Sequence, residues 1–208
     1  MISGFNSNQE LVKALVNEGY IKSESVARAF LEVDRRNFVW PGSEHLAYVD
    51  EPLALGDTGQ TISAPSMIAI MLEALELKKY DNVLEIGTGS GYSAALISKL
   101  VYPGSVVTVE LNYRLYLFGR RNLQGYPNVI PVFADGSKGF PMGSSEEIYD
   151  KAVIMAAARE IPKDVLNQVK KFVLAPVGGR GYQDLIRKWK DGREENYGGC
   201  IFVPLKSL

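Results

Sequence analysis

Val83-Leu84-Glu85-Ile86-Gly87-Thr88-Gly89-Ser90-Gly91-Tyr92 is the stretch that decides the fold. A short apolar run leads directly into three alternating glycines, and residues 92–101 continue with helical spacing. Glycine suits this turn because the backbone angles are unusual and because a ligand has to approach the main chain closely. The order strand, glycine loop, helix therefore predicts a ligand-binding loop, with amide groups of the helix N-terminus available beyond it.

The alternation continues toward the carboxyl end of the chain. Apolar runs of strand length occupy 82–86, 105–109, 129–133, 149–154 and 172–177. Helix-like segments lie at 92–101, 113–123 and 162–170, and residues 136–147 are irregular. This pattern predicts an α/β fold with a Rossmann-like, doubly wound and mostly parallel sheet.

The N-terminal part has a different character. The first 35 residues show helical spacing, 38–64 is irregular and contains several glycines and prolines, and a helix is predicted over 65–77. We expect a single domain, in which 1–64 forms an N-terminal helical cap and loop and 65–208 forms the ligand-binding α/β core.

The last two apolar runs predict a C-terminal hairpin. They span 182–189 and 199–205, and they flank Asp191-Gly192, a dipeptide typical of tight turns.

Composition limits the class of partner. Lys and Arg number 23 against 24 Asp and Glu, so the net charge of −1 gives no electrostatic attraction to nucleic acid or to an anionic membrane. No apolar run is long enough to span a membrane, and the N-terminus lacks the pattern of a signal peptide. Cys200 is the single cysteine, which suits a reducing compartment. We expect a cytoplasmic protein whose partners are neither nucleic acids nor membranes; the sequence does not predict an oligomeric state.

The spacing of the glycines distinguishes two kinds of cofactor loop. A dinucleotide site requires G-x-G-x-x-G, whose last position here is Tyr92. The spacing present is G-x-G-x-G, which resembles the first motif of the class I methyltransferases. In that class the loop surrounds the amino acid end of S-adenosylmethionine, which carries no phosphate, and an acid on the preceding strand, here Glu85, completes the motif.

Two further carboxylates follow the next two strands. Glu110 closes the second apolar run and Asp135 closes the third. Strand ends often carry solvated acids, so either residue alone has an ordinary explanation. Their joint spacing favours a cofactor site, because a carboxylate at the second strand can accept from both ribose hydroxyls. By resemblance to the class, Asp135 accepts from the amino group of adenine.

The segment Gly59-Gln60-Thr61-Ile62-Ser63-Ala64-Pro65 precedes the core. On physical grounds alone it is a polar loop in which Ser63 caps a helix beginning near Pro65. It also resembles the signature of the protein-L-isoaspartate O-methyltransferase family. Further segments match that family in order: Phe38-Val39, Leu46-Ala47-Tyr48, Val83 to Tyr92, Asp135-Gly136, Tyr149-Asp150, Ala156-Ala157, Pro176-Val177-Gly178 and Phe202-Val203-Pro204-Leu205.

This resemblance implies a protein-repair enzyme that uses S-adenosylmethionine to methylate the free carboxylate of L-isoaspartyl residues in proteins and peptides. It implies Ser63 as the catalytic residue, which donates a hydrogen bond to that carboxylate. The implied cofactor-binding residues are Thr61, Ile62, Glu85, Gly87, Thr88, Gly89, Gly91, Glu110, Asp135 and Gly136. The implied substrate-binding residues are Gln60, Ala156, Ala157 and Val203. Exposed backbone near Ala156-Ala157 or in 201–205 is expected to pair with an extended peptide, unless that apolar run is an ordinary buried strand.

The chemistry needs no general base, because a carboxylate is already ionised at neutral pH. This agrees with a chain that has one histidine, His45, for which we expect a structural or surface role. No residues have metal-ligand spacing, so no metal is expected. The remaining task of the protein is to position the reactants and exclude water.

Alternatives stay open for the acceptor. Ser66 stands where the family usually carries an aromatic residue or histidine, and the loop 56–60 is one residue longer than usual. The acceptor could therefore be another peptide or a small-molecule acid, and acceptance of D-aspartyl residues is not indicated either way. A regulator that binds the cofactor without turnover is a third possibility. An amino-methylating enzyme of nucleic acids is disfavoured, because 156–162 lacks the Asn/Asp-Pro-Pro-aromatic pattern.

Overall fold

The computed structural model describes residues 4–207, so the first three residues and Leu208 lie outside the described chain. The helices are α1 (Asn8–Asn17), α2 (Glu24–Glu32), α3 (Pro65–Leu75), α4 (Tyr92–Val101), α5 (Tyr113–Asn122) and α6 (Lys163–Asn167). The strands are β1 (Leu53–Ala54), β2 (Thr61–Ile62), β3 (Val83–Ile86), β4 (Val106–Glu110), β5 (Val129–Phe133), β6 (Tyr149–Ile154), β7 (Val169–Gly178), β8 (Gln183–Trp189) and β9 (Glu194–Cys200). None of the helices between residues 4 and 207 has the length and apolar character needed to cross a membrane.

Seven strands form the central sheet in the order β5-β4-β3-β6-β7-β8-β9. The strands from β5 to β7 are parallel, and β8 and β9 join antiparallel to them. This confirms the Rossmann-like, mostly parallel sheet with a C-terminal hairpin. The chain runs outward from β3 through β4 to β5 and then returns to the other side of β3 as β6. The carboxyl ends of β3 and β6 therefore form the point where strand order reverses, which is where such sheets bind ligands.

The predicted helical cap is present and begins at serine caps. The Ser7 hydroxyl accepts from the Glu10 amide, and the Ser23 hydroxyl accepts from the Val26 amide. Such caps satisfy amide groups that have no partner inside the helix. Leu15 and Phe30 are buried on the inner faces of α1 and α2, so the cap shares the hydrophobic core of the α/β part.

The irregular loop before α3 contains a two-stranded hairpin that the sequence pattern did not reveal. Leu53 pairs with Ile62, and Ala54 pairs with Thr61. Two residues per strand are too few to show an alternating pattern. The N-cap of α3 is Ala64, with no side-chain hydrogen bond, so the interpretation of Ser63 as a helix cap is wrong.

The second strand of the C-terminal hairpin lies earlier in the chain than predicted. The returning strand β9 is Glu194–Cys200, whereas 201–205 does not continue the sheet. β9 lies at the edge of the sheet and most of its residues are exposed, so it carries no apolar run. The segment 201–205 instead crosses the carboxyl ends of the strands, where Pro204 forms an isolated bridge with Ala157. Similarly, β7 starts at Val169, where the sequence suggested the end of a helix.

Candidate active site

The glycine loop adopts the backbone angles that its sequence predicts. Gly87, Gly89 and Gly91 have φ values of 100°, 53° and 86°, in the left-handed region that disfavours side chains. The Gly87 amide donates to the Val109 carbonyl at 2.8 Å, and the Gly89 amide donates to Glu110 Oε2 at 2.9 Å. These amides are thus used inside the chain and are not available to a pyrophosphate. Of the two ligands that the glycine spacing suggested, this favours S-adenosylmethionine, which carries no phosphate, over a dinucleotide.

Glu85 lies beneath the loop and is fully buried. Its carboxylate accepts hydrogen bonds from Ser93 Oγ and Thr108 Oγ1, each at 2.5 Å, and the hydroxyls of Thr88 and Thr108 are 2.7 Å apart. Burial raises the pKa of Glu85 to about 7, although the two hydroxyl hydrogen bonds act in the opposite direction. Glu85 does not line the cavity above the loop, and its predicted part in cofactor binding stays a prediction. It positions the loop from below.

A cavity of about 260 Å³ opens beside the loop at the point where strand order reverses, and we call it the cofactor cavity. It contains eight of the predicted site residues: Gln60, Thr61, Gly87, Gly89, Glu110, Gly136, Ala156 and Val203. The other lining residues are Ile86, Val109, Leu111, Asn112, Leu115, Met155, Pro204, Leu205 and Lys206. Glu110 is held in place at this cavity because its second oxygen accepts from the Asn112 amide at 2.9 Å.

Three further predicted residues, which do not line the cofactor cavity, lie in a narrow cleft of about 40 Å³ that also borders the loop. Ile62, Ser63 and Thr88 line this cleft together with Gly87 and Gly89, so the cleft and the cofactor cavity share the loop as a wall. The predicted contact residues 61–63 are thereby brought next to the glycine loop.

Asp135 and Gly91 are near the cofactor cavity without lining it. Asp135 is half-buried, and its carboxylate accepts from the Ser137 amide at 2.9 Å. The next residue, Gly136, does line the cavity. Gly91 is the N-cap residue of α4, so its contribution is to the turn.

A third cavity, of about 400 Å³, lies on the opposite side of residues 61–63, and we call it the acceptor cavity. Its lining residues are Pro52, Thr61, Ser63, Ala64, Met67, Met155, Ile201, Phe202 and Val203. None of these side chains is ionisable. Thr61 and Met155 line the cofactor cavity, the cleft and the acceptor cavity alike, so the three spaces meet at these two residues.

Ser63 offers a hydroxyl group at this junction. Among the described residues, Ser63 Oγ has no hydrogen-bond partner, while the Ser63 carbonyl accepts from Arg35 at 3.1 Å. A hydroxyl without an internal partner beside an apolar cavity is available to a polar group of a ligand.

Ala157 does not offer free backbone to a peptide. Its amide donates to the Val203 carbonyl, and its carbonyl accepts from the Leu205 amide, both at 2.8 Å. The prediction of strand addition at Ala157 is therefore wrong, because the chain's own C-terminal segment occupies that position.

Nine residues that line the cofactor cavity were not predicted, and Met155 and Lys206 illustrate the two reasons. Met155 directly follows the predicted strand 149–154, and the rule that ligands bind at the carboxyl ends of parallel strands would have found it. Lys206 lines the cofactor cavity only because 201–206 crosses the strand ends, and no local pattern indicates that path. His45 is exposed and lines none of the three cavities.

The residues of the cofactor cavity fit S-adenosylmethionine. Ile86, Val109 and Leu115 provide apolar walls for an adenine ring, and the Glu110 carboxylate can accept from ribose hydroxyls. Its negative charge also suits a sulfonium cation. Within residues 4–207, no group of three or more His, Cys, Asp or Glu side chains is arranged to hold a metal ion.

Comparisons with known proteins agree with this reading. A solved structure of a protein-L-isoaspartate O-methyltransferase superposes with a TM-score of 0.81 and 31% identity, covering 96% of this chain and 66% of that one. A Plasmodium falciparum structure assigned to the same enzyme family, in complex with S-adenosyl-L-homocysteine, has a TM-score of 0.85 at 23% identity and covers 97% and 99%, which supports the fold. Fold and site together define a Rossmann-like S-adenosylmethionine-dependent methyltransferase.

The sequence comparisons assign the family. The family described as protein-L-isoaspartate(D-aspartate) O-methyltransferase matches residues 6–208. Protein-L-isoaspartate O-methyltransferases of Pyrococcus horikoshii and Methanopyrus kandleri are 47% and 45% identical to this chain. The first comparison covers 93% of this chain and 90% of the relative, and the second covers 96% and 91%. The chain belongs to the protein-L-isoaspartate(D-aspartate) O-methyltransferase family.

Proposed function

We propose that this chain repairs damaged proteins by transferring a methyl group from S-adenosylmethionine to the free carboxylate of L-isoaspartyl residues. The observation that carries this proposal is the junction at Thr61 and Met155, where the cofactor cavity meets an apolar cavity that contains the Ser63 hydroxyl. The names and close similarity of the relatives support the same substrate class.

In the cofactor cavity, the role of the chain is to bind and orient S-adenosylmethionine. When bound, S-adenosylmethionine supplies an electrophilic methyl group on a sulfonium sulfur. Glu110 accepts hydrogen bonds from the ribose, Asp135 accepts from the adenine amino group, and the backbone at Gly87 and Gly89 allows close approach of the amino acid end. Because Gly89 also donates to Glu110, the ribose acceptor and the loop are fixed relative to each other.

On the acceptor side, Ser63 donates a hydrogen bond to the substrate carboxylate. The walls of the acceptor cavity are largely apolar, so they remove water from that carboxylate and leave one oxygen free to attack. No side chain has to remove a proton, since the carboxylate is ionised at neutral pH. The protein contributes positioning, which in favourable cases lowers a barrier by roughly 7–11 kcal/mol.

The peptide on either side of the damaged residue docks along 201–203. Ile201 is 76% exposed at the rim of the acceptor cavity, and Val203 lines both the cofactor cavity and the acceptor cavity. Among the described residues, the Val203 amide has no acceptor, so it can donate to a peptide carbonyl. We propose Val203 and Gln60 as substrate contacts, with Ala156 as part of the shared wall.

The decisive experiment is methyl transfer from labelled S-adenosylmethionine to an isoaspartyl peptide and to the same peptide with ordinary aspartate. We expect base-labile label in the first peptide alone. Tight binding of S-adenosylhomocysteine without transfer would indicate a regulator, and transfer to small carboxylic acids instead would indicate a different acceptor. A cytoplasmic location is part of the proposal and is supported by the single cysteine.

A further inference from the structure

Arg35 is a fully buried cation bound to backbone carbonyls. It lies in the 3₁₀ turn Arg35–Asn37 after α2. One terminal nitrogen donates to the carbonyls of Ala47 at 2.7 Å and Val49 at 3.4 Å. The other donates to the carbonyls of Glu51 and Ser63, both at 3.1 Å. One side chain thus ties the segment 47–51 to the residue that carries the proposed catalytic hydroxyl.

The charge of Arg35 has no carboxylate in direct contact. Among residues 4–207, no acidic side chain forms an ion pair with it, and Asp50 acts on it only from a longer distance. Burial lowers the pKa of Arg35 to about 10, so the group stays charged at neutral pH. A buried unpaired charge is costly for folding, and an apolar residue would fill the same space more cheaply.

Further polar groups around Arg35 also lack partners. Within the described chain, Arg35 Nε and the hydroxyl of Tyr92 have no hydrogen bond, although both are buried. Tyr92 is 1% exposed, begins α4 directly after the glycine loop, and lines the cleft together with Ser63. The Arg35 guanidinium therefore lies close to the cleft between the glycine loop and Ser63.

Of the four residues whose carbonyls bind Arg35, Ser63 lines the acceptor cavity and Glu51 adjoins its wall. Glu51 immediately precedes Pro52, and Pro52 and Ser63 both line that cavity. Since the Ser63 hydroxyl has no partner in the described chain, its position depends on its backbone. That backbone is held by the pairing of Ile62 with Leu53 and by the hydrogen bond from Arg35.

We propose that Arg35 is a positioning residue for methyl transfer, which fixes Ser63 through its carbonyl and supplies the positive charge that the anionic substrate balances. This inference rests on the proposed function. No carboxylate between residues 4 and 207 forms an ion pair with the guanidinium, and Asp50 acts on it only from a longer distance. The isoaspartyl carboxylate adds a negative charge that is linked to Arg35 through Ser63 without direct contact. Recognition of a negatively charged acceptor is then possible in a cavity that has no cationic lining residue.

The test compares two peptides, one with an isoaspartyl residue and one in which the same carboxylate is a neutral amide. The native protein should bind the anionic peptide more tightly. Arg35→Gln should abolish this preference and lower kcat/KM by roughly 100-fold. Arg35→Lys, which keeps the charge but loses the planar fork, should keep the preference and lose roughly 10-fold. The Kd for S-adenosylhomocysteine should stay within about twofold of the native value.

Arg187→Gln is the matched control. Arg187 is also buried and also has an Nε without a partner, but it lies in β8 and pairs with Glu76, away from the three cavities. It should lose thermal stability as Arg35→Gln does, while the preference for the anionic peptide remains.

Three results would overturn the inference. The first is equal binding of the two peptides by the native protein. The second is an Arg35→Gln variant that still prefers the anionic peptide over the neutral one. The third, which applies if Arg35→Gln does not fold, is an Arg35→Lys variant with the native kcat/KM. Absence of transfer by the native protein would instead refute the proposed function, and this inference with it.

Discussion

Glu110 Oε2 accepts a hydrogen bond from the Gly89 amide at 2.9 Å. The acid at the end of β4 therefore does two things, since it closes the glycine loop of the neighbouring strand and presents its carboxylate to the cofactor cavity. Sequence spacing placed both residues at the same edge of the sheet, and this contact explains why loop and acid act as one unit.

Replacing Glu110 with glutamine tests the ribose contact. The glutamine oxygen can accept from only one of the two amides, Gly89 and Asn112, that the carboxylate binds, so one internal hydrogen bond is lost together with the charge. Hydrogen bonds to charged groups contribute about 1.5–3 kcal/mol, which corresponds to an increase of roughly 10–100-fold in the Kd for S-adenosylhomocysteine. Isothermal titration calorimetry measures this directly. Glu18→Gln, at an exposed position on the N-terminal cap, is the control and should bind normally.

Gly119→Ala tests the packing of α5 on the loop. Alanine normally stabilises a helix relative to glycine by about 1 kcal/mol. Here a Cβ would lie 2.8 Å from Thr88 Cγ2 and 3.0 Å from the Gly89 carbonyl oxygen. We therefore expect a loss of about 1–3 kcal/mol in the free energy of unfolding, together with weaker cofactor binding. A gain in stability would refute this packing. Gly125→Ala, where a Cβ meets nothing within 4 Å, should be neutral.

Ser63→Ala removes the proposed donor to the substrate carboxylate. We expect kcat/KM for an isoaspartyl peptide to fall by roughly 10–100-fold, because the hydrogen bond is to a charged group. Cofactor affinity should not change. Ser66→Ala provides a control three residues away, since Ser66 lines none of the three cavities and contributes only its backbone amide to a hydrogen bond with Asp50. Equal losses in both variants, or full turnover by Ser63→Ala, would exclude the role of Ser63.

The buried carboxyl of Glu85 should make stability depend on pH. Its folded-state pKa of about 7 lies above the ordinary value of 4.5, so its stabilising contribution is complete below pH 4.5 and is lost as the pH rises through about 7. Glu85→Gln removes this dependence. Relative to the native protein, the variant should gain stability between pH 4.5 and 8, by an amount on the order of 3 kcal/mol. Urea unfolding across this pH range tests the prediction. A difference in the free energy of unfolding between variant and native protein that does not change with pH would contradict it.

The sequence predicted the parts of the site that depend on local pattern. The glycine loop, the acid Glu110 at the end of β4, the acid Asp135 two residues after β5, and the order of strands and helices in the α/β part all follow from periodicity and from the connection rules for parallel sheets. The role of Glu85 was not predictable from position alone, because the hydroxyls that bind it come from α4 and β4. Residues after Cys200 have the composition of a strand, yet their path depends on pairing with Ala157.

Arg35 was invisible to sequence reasoning for a similar reason. Next to Arg36 it has the appearance of an exposed basic pair, and its acceptors lie 12 to 28 residues further along the chain. Only the hairpin of β1 and β2 brings Ser63 within reach of the guanidinium. Long-range hydrogen bonds to carbonyls carry no residue-type signal, since every residue has a carbonyl group.

The most direct measurement is a crystal structure with S-adenosylhomocysteine and an isoaspartyl peptide bound together. We expect the ribose at Glu110, the sulfur beside Thr61 and Met155, and the peptide carboxylate within hydrogen-bond distance of Ser63 Oγ in the acceptor cavity. A peptide bound instead in the separate depression lined by Arg159 and Arg180, with its carboxylate remote from Ser63, would contradict the account.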